Sequence, residues 1–186
     1  MVELQRLTGM RPGEVTRIRA VDLDRSREVW VYTPESHKTE HHGKTRKILL
    51  GPKARDLLER WLKAAPDAYL FSPKEATEEL LAGRRLARKT RVQPSQQDRK
   101  KRSPIKTPGP RYTTDSYRRS IGVGCDKAGM PRWHPNQLRY LAATRLRREF
   151  GLDVARAVLG HSSPAVTEVY AELDLTKAAE AMARIG

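Results

Sequence analysis

The sequence predicts a mostly helical domain with a small antiparallel β-sheet in its N-terminal third, an α+β fold. Apolar residues recur at helical spacing along most of the 186-residue chain, two β-branched and aromatic runs lie close enough to pair as a hairpin, and no internal repeat interrupts the pattern. Leu4 and Leu7 open at helical spacing, and Gly9 stands where that first helix should stop. Pro12 suits the first position of a new helix that turns Val15 and Ile18 inward, which leaves Arg11 at a helix junction. Residues 28–33 (Glu-Val-Trp-Val-Tyr-Thr) and 45–50 (Thr-Arg-Lys-Ile-Leu-Leu) are the predicted strands, with a polar hairpin loop from Pro34 to Lys44 between them. From Pro52 to Ala64, the residues Ala54, Leu57, Leu58, Trp61 and Leu62 mark an amphipathic helix, and residues 74–88 mark a more charged one. Residues 89–113 combine Pro94, Pro104, Pro108 and Pro110 with Lys/Arg clusters. Such a segment buries too little apolar surface to offset its ordering entropy and is expected to be a mobile basic loop. Helices return at Asp115–Lys127, with Tyr117 and Ile121 on one face, at Pro135–Glu149, and at 153–159 before Gly160. Ser163 and Pro164 supply the N-cap and first position of a helix containing Tyr170, and an alanine-rich helix, Thr176–Arg184, closes the sequence.

The length suits a single domain spanning residues 1–186. Lys and Arg outnumber Asp and Glu by 37 to 22, a formal charge of +15, and the basic residues recur along the whole chain. That balance points to a polyanionic partner, nucleic acid before an acidic membrane surface, because no clear amphipathic anchor is present. No apolar stretch approaches the roughly 18 residues of a transmembrane helix, and the first residues lack the layout of a signal peptide. The single cysteine, Cys125, forms no internal disulfide and reads as a small buried hydrophobe. A cytoplasmic protein is therefore expected.

Four separated segments carry the chemistry. Thr8-Gly-Met-Arg-Pro-Gly-Glu14 holds Arg11; Lys38-Thr39 lies in the hairpin loop; Asn136-Gln-Leu-Arg139 opens a helix; and Leu159-Gly-His161 precedes Tyr170 by nine residues. In this order and spacing the chain resembles the tyrosine recombinase, or phage integrase, family along its whole length. The resemblance implies the catalytic-domain fold of DNA breaking-rejoining enzymes, and cleavage and rejoining of DNA through a 3′-phosphotyrosyl bond in site-specific recombination of the integration or excision type. Tyr170 would be the nucleophile, with Arg11 and Arg139 as a bidentate clamp on the phosphate. His161 would donate to the same phosphate, Lys38 would protonate the leaving 5′-oxygen, and Glu14 would orient Arg11. No cofactor or metal is expected; the imidazoles of His37, His41 and His42 in the hairpin loop read as solvated. Arg99, Lys100, Lys101 and Arg102 are either a solvated run or a sequence-blind contact to backbone phosphates.

Asn136 stands where the family usually has a histidine, and Tyr140 where it usually has another. Asn136 can donate a hydrogen bond to phosphate but cannot shuttle a proton at neutral pH. His134, two residues earlier, is an imperfect substitute because it precedes the helix. Tyr140 is expected to pack. The resemblance also implies double-stranded DNA as partner and a homotetramer on paired sites, with Thr176–Arg184 as the exchanged segment. Family members usually carry a helical core-binding domain before the catalytic one. This sequence begins almost at the first arginine motif, so a fragment or truncated form is expected. A catalytically impaired DNA-binding remnant and a type IB topoisomerase-like relaxing activity are the alternatives.

Overall fold

Leu4, Gln5 and Thr8 form the inward face of the first helix, α1 (Val2–Thr8). The structure, a computed structural model, describes residues 1–35, 46–94 and 107–160. Helix α1 ends at Gly9, left-handed at φ 65°, whose N–H donates to the Gln5 carbonyl at 2.8 Å. The chain then reverses into a single turn, α2 (Pro12–Val15), begun by a proline whose missing N–H costs nothing there. Ile18, expected inside this helix, lies beyond its end. It is still fully buried, and its carbonyl accepts the Leu70 N–H at 2.9 Å.

Three short strands form an antiparallel sheet in the order β1 (Leu23–Asp24), β2 (Trp30–Tyr32), β3 (Ile48–Leu50). Tyr32 pairs with Leu23 on one side and Ile48 on the other, while Trp30 faces Leu50. All five of these side chains are buried, whereas Leu49 is half exposed, as the two-residue period of a strand requires. Strand β1 was not expected, because two residues are too few to show alternation.

Helix α3 (Pro52–Glu59) buries Ala54 and Leu58. It stops short of the predicted Ala64, and Trp61, expected on its inner face, is half exposed with its ring tilted against Phe71 at a centroid distance of 5.3 Å. The chain turns there because the segment returning from Ala64 is pinned: Lys63 Nζ donates to the Tyr69 carbonyl at 2.6 Å and pairs with Glu75. Helix α4 (Pro73–Leu86), capped by Ser72, buries no residue. Residues 89–94 and 107–113 carry neither α-helix nor strand.

Helix α5 (Thr114–Lys127) opens with a reciprocal cap between Thr113 and Ser116 and buries Tyr117, Ile121 and Cys125, as expected of all three. Helices α6 (Asn136–Phe150) and α7 (Leu152–Leu159) follow, and α7 ends at Gly160, left-handed at φ 66°. Tyr140, expected to pack, is 40% exposed on α6. The main core joins α1, the sheet, α3 and α5 through Leu4, Met10, Tyr32, Ile48, Leu58 and Tyr117 among others, and a smaller cluster of Ala143, Leu146 and Leu159 seals α6 against α7. No helix among the described residues is long and apolar enough to cross a membrane. The expectations for the hairpin loop from 36 to 45, the basic segment from 95 to 106 and the two helices after Gly160 fall outside the described residues.

Candidate active site

Arg11 occupies the N-cap of α2 in an extended conformation. Its backbone N–H donates to Glu14 Oε2 at 2.6 Å and its Nη1 to Glu14 Oε1 at 2.9 Å. One carboxylate, itself only 5% exposed, thus fixes both the main chain and the head group of Arg11. The Arg11 side chain keeps 27% of its surface open.

Arg139, near the start of α6, is 2% exposed. Its Nη1 donates to the Gly9 carbonyl at 2.6 Å and its Nη2 to the Leu159 carbonyl at 2.8 Å. The residue therefore joins the C-terminal ends of α1 and α7, where helices leave carbonyls without intrahelical partners. The two glycines beside these carbonyls follow from the same geometry. A Cβ on Gly9 would lie 2.8 Å from Leu159 Cδ2 and 3.1 Å from Ala142 Cβ; one on Gly160 would collide with Arg46 Nη1. Both also have positive φ, which only glycine adopts without strain. The Thr-Gly-Met-Arg and Leu-Gly-His segments thus owe their glycines to helix caps packed against one another.

Arg11 and Arg139 line one cavity of about 380 Å³ together with Asn136, His134, Arg118, Thr114 and Asp115. Three guanidinium groups against one carboxylate give its lining a net positive charge, and planar forks suit the oxygens of a phosphate. Asn136, the first residue of α6, donates its backbone N–H to His134 Nδ1 at 3.2 Å, and the His134 N–H donates to Gln137 Oε1 at 2.6 Å. An accepting Nδ1 leaves the imidazole proton on Nε2 in the neutral ring. His134 and Asn136 therefore border the same cavity. Of the residues singled out in the sequence, the fold brings Arg11, Glu14, Arg139 and Asn136 together. Lys38, His161, Tyr170 and Arg99–Arg102 lie outside the described residues.

Two participants went unnoticed in the sequence. Arg118, on α5, reads there as one of many surface cations. Arg46, just before β3, is buried with its side chain 5% exposed. Its Nε lies 3.4 Å from Glu14 Oε1, and its Nη1 donates to the carbonyls of Val158 at 3.3 Å and Lys47 at 3.2 Å. Burial pushes its guanidinium pKa down, opposed by the charge of Glu14. The available signal was parity: Arg46 shares the inward phase of Ile48 and Leu50. Behind Arg11, Tyr117 donates to Gln5 Oε1 at 3.1 Å, and Gln5 Nε2 donates to the Met10 carbonyl at 3.0 Å. A buried polar chain thus ties α5 to the residue preceding Arg11.

The sequence matches the model of the phage integrase family over residues 1–177. The chain belongs to the phage integrase family. No curated protein matches it. Similar solved structures include the XerA recombinase, at 20% identity and a TM-score of 0.59, where 98% of this chain covers 60% of that one. The XerH site-specific recombinase bound to its difH substrate follows at 19% identity and a TM-score of 0.56, covering 97% of this chain and 44% of the other. The Tn1549 transposon integrase in complex with circular intermediate DNA has 17% identity and a TM-score of 0.62, covering all of this chain and 58% of the other. At these identities the likeness is one of fold, and it bears out the helical domain with a small antiparallel sheet. The chain spans about 60% of the XerA chain and less of the XerH chain.

Proposed function

We propose that this chain is the catalytic part of a site-specific recombinase that cleaves and rejoins double-stranded DNA through a 3′-phosphotyrosyl intermediate. The observation that carries the reading is the convergence of Arg11 and Arg139 on one cavity from opposite ends of the described chain. Attack on a phosphodiester builds negative charge on the two non-bridging oxygens. Preoriented guanidinium groups stabilise that charge without a metal, and their fixed positions avoid reorganisation during the reaction. Glu14 supplies the preorientation of Arg11, and the Gly9 and Leu159 carbonyls that of Arg139.

Tyr170 is the nucleophile: its phenolic oxygen bonds to phosphorus as the bond to the 5′-oxygen breaks. A free phenol has a pKa of about 10, so positioning beside the cationic clamp must favour its ionised form. Lys38 gives a proton to the departing 5′-oxygen, and His161 donates to a non-bridging oxygen. The phosphotyrosyl ester conserves the energy of the broken bond, so a new 5′-hydroxyl reverses the step without ATP. Asn136 contributes a hydrogen bond to phosphate in place of the customary histidine. Arg99, Lys100, Lys101 and Arg102 add backbone phosphate contacts, and the working assembly is a homotetramer on paired sites. These reactions belong to the cytoplasm.

The test is covalent capture. Wild-type protein is incubated with a pool of nicked duplexes of randomised sequence, and adducts that survive SDS are isolated and sequenced. Wild type should yield adducts sharing a sequence, and Tyr170→Phe none. Binding of the pool without any adduct would sink the enzymatic reading.

A further inference from the structure

We propose that Arg46 is a positioning residue for the phosphate clamp, closing a ring of polar contacts that sets the spacing between Arg11 and Arg139. The inference rests on the clamp reading given above. Arg11 is held by Glu14, whose Oε1 faces Arg46 Nε at 3.4 Å. Arg46 Nη1 reaches the Val158 carbonyl at 3.3 Å; the next residue, Leu159, offers its carbonyl to Arg139 at 2.8 Å. Arg139 in turn holds the Gly9 carbonyl at 2.6 Å, two residues before Arg11. With Arg46 present, polar contacts join the two clamp arginines by two routes, one through Glu14 and the end of α7 and one through Gly9. Without it the first route is broken and the second remains.

Two further observations set Arg46 apart from an ordinary buried residue. Gly160 leaves the space that its guanidinium fills, since any side chain there would strike Nη1 and bring Cζ to within 2.9 Å. Arg46 also makes a poor stabiliser: among the described residues its buried Nη2 has no hydrogen-bond partner, and Nε has the long ion pair to Glu14. A buried cation so incompletely matched gives little or no net stability over an apolar side chain of similar volume. What an apolar residue cannot do is hold Glu14 and the last turn of α7 at once. A lysine keeps the charge but, as a single point donor, cannot span both partners as a planar fork does.

The experiment compares full-length wild type with Arg46→Lys and Arg46→Gln. First, inorganic sulfate is titrated as a tetrahedral dianion while the Arg11 side-chain N–H signal is followed by NMR. Sulfate should bind at least fivefold more weakly to Arg46→Gln, with Arg46→Lys recovering only part of the loss. Second, single-turnover adduct formation is measured on captured DNA at saturating concentration. The rate should fall at least tenfold while the DNA dissociation constant stays within twofold. On the same duplex with a neutral methylphosphonate at the scissile position, where one charge fewer needs the clamp, the defect should shrink to threefold or less. Sulfate affinity and cleavage within twofold of wild type would overturn the proposal, as would equal defects on phosphate and methylphosphonate. Failure of both variants to fold would also overturn it, because Arg46 would then be a structural residue. If wild type forms no adduct, strand cleavage is refuted while the sulfate titration still decides the role of Arg46.

Discussion

Arg11 and Arg139 would have the same task on a phosphate, yet their surroundings differ enough to give different responses to truncation. Arg139 is buried and supplies donors to two main-chain carbonyls at helix ends. Arg139→Ala strands both acceptors, and unsatisfied buried groups cost about 1–3 kcal/mol each, so a loss of about 3 kcal/mol is expected. Arg11 is partly open, and after Arg11→Ala its backbone N–H still donates to Glu14 while Arg46 still faces that carboxylate. The expected loss there is about 1 kcal/mol or less, in line with partly exposed ion pairs. Urea unfolding of the two variants checks the contrast. A comparable loss in both would mean that Arg11 also carries the fold. Adduct formation should disappear in Arg11→Ala while the protein remains folded, which makes it the cleaner probe of the clamp.

At the scale of elements, the helix ends do the positioning, and the glycines that cap them allow a controlled comparison. Gly160 after α7 and Gly129 after α5 share nearly the same left-handed φ, 66° and 63°. A Cβ at Gly129 meets nothing within 4 Å among the described residues, whereas one at Gly160 strikes the Arg46 guanidinium. Gly129→Ala should cost only the left-handed penalty, about 1–2 kcal/mol. Gly160→Ala should add the cost of overpacking against a buried side chain, for a total of about 3 kcal/mol. Thermal melting of the pair reads the difference, and equal shifts would show that Arg46 yields freely. The caps and the long helices were legible in the sequence because Gly, Pro and Ser/Thr punctuate them and apolar spacing persists between. Other features were not legible. Strand β1 is too short to alternate. The apolar run through Trp61 and Leu62 continues a helical pattern that Lys63 and its partners interrupt. Gln5 is buried where Tyr117, 112 residues away in the sequence, donates to it. Arg46 was readable by parity with Ile48 and Leu50, but a cation on an inward phase contradicts the usual expectation for a strand.

For the whole molecule, the charge of +15 is spread along the sequence, so it governs how the chain meets DNA more than how it folds. Each phosphate neutralised releases counterions, and log affinity falls with log salt with a slope of roughly −0.9 per contact on duplex DNA. Five such contacts would weaken binding by roughly 500-fold between 50 and 200 mM salt. The run Arg99-Lys-Lys-Arg102 offers a direct way to apportion this. If these four side chains each meet a phosphate, replacing all four by glutamine should flatten the slope by about 3.6; if solvent surrounds them, the slope stays put. The expected outcome is a flattening of at least about 2, equal on specific and unrelated duplexes, because backbone phosphates carry no sequence. Fluorescence anisotropy over a salt series measures it. A slope within about 0.5 of wild type would remove the run from the DNA interface. Recognition would then rest on the cationic cavity around Arg11, Arg118 and Arg139 and on other basic residues of the chain.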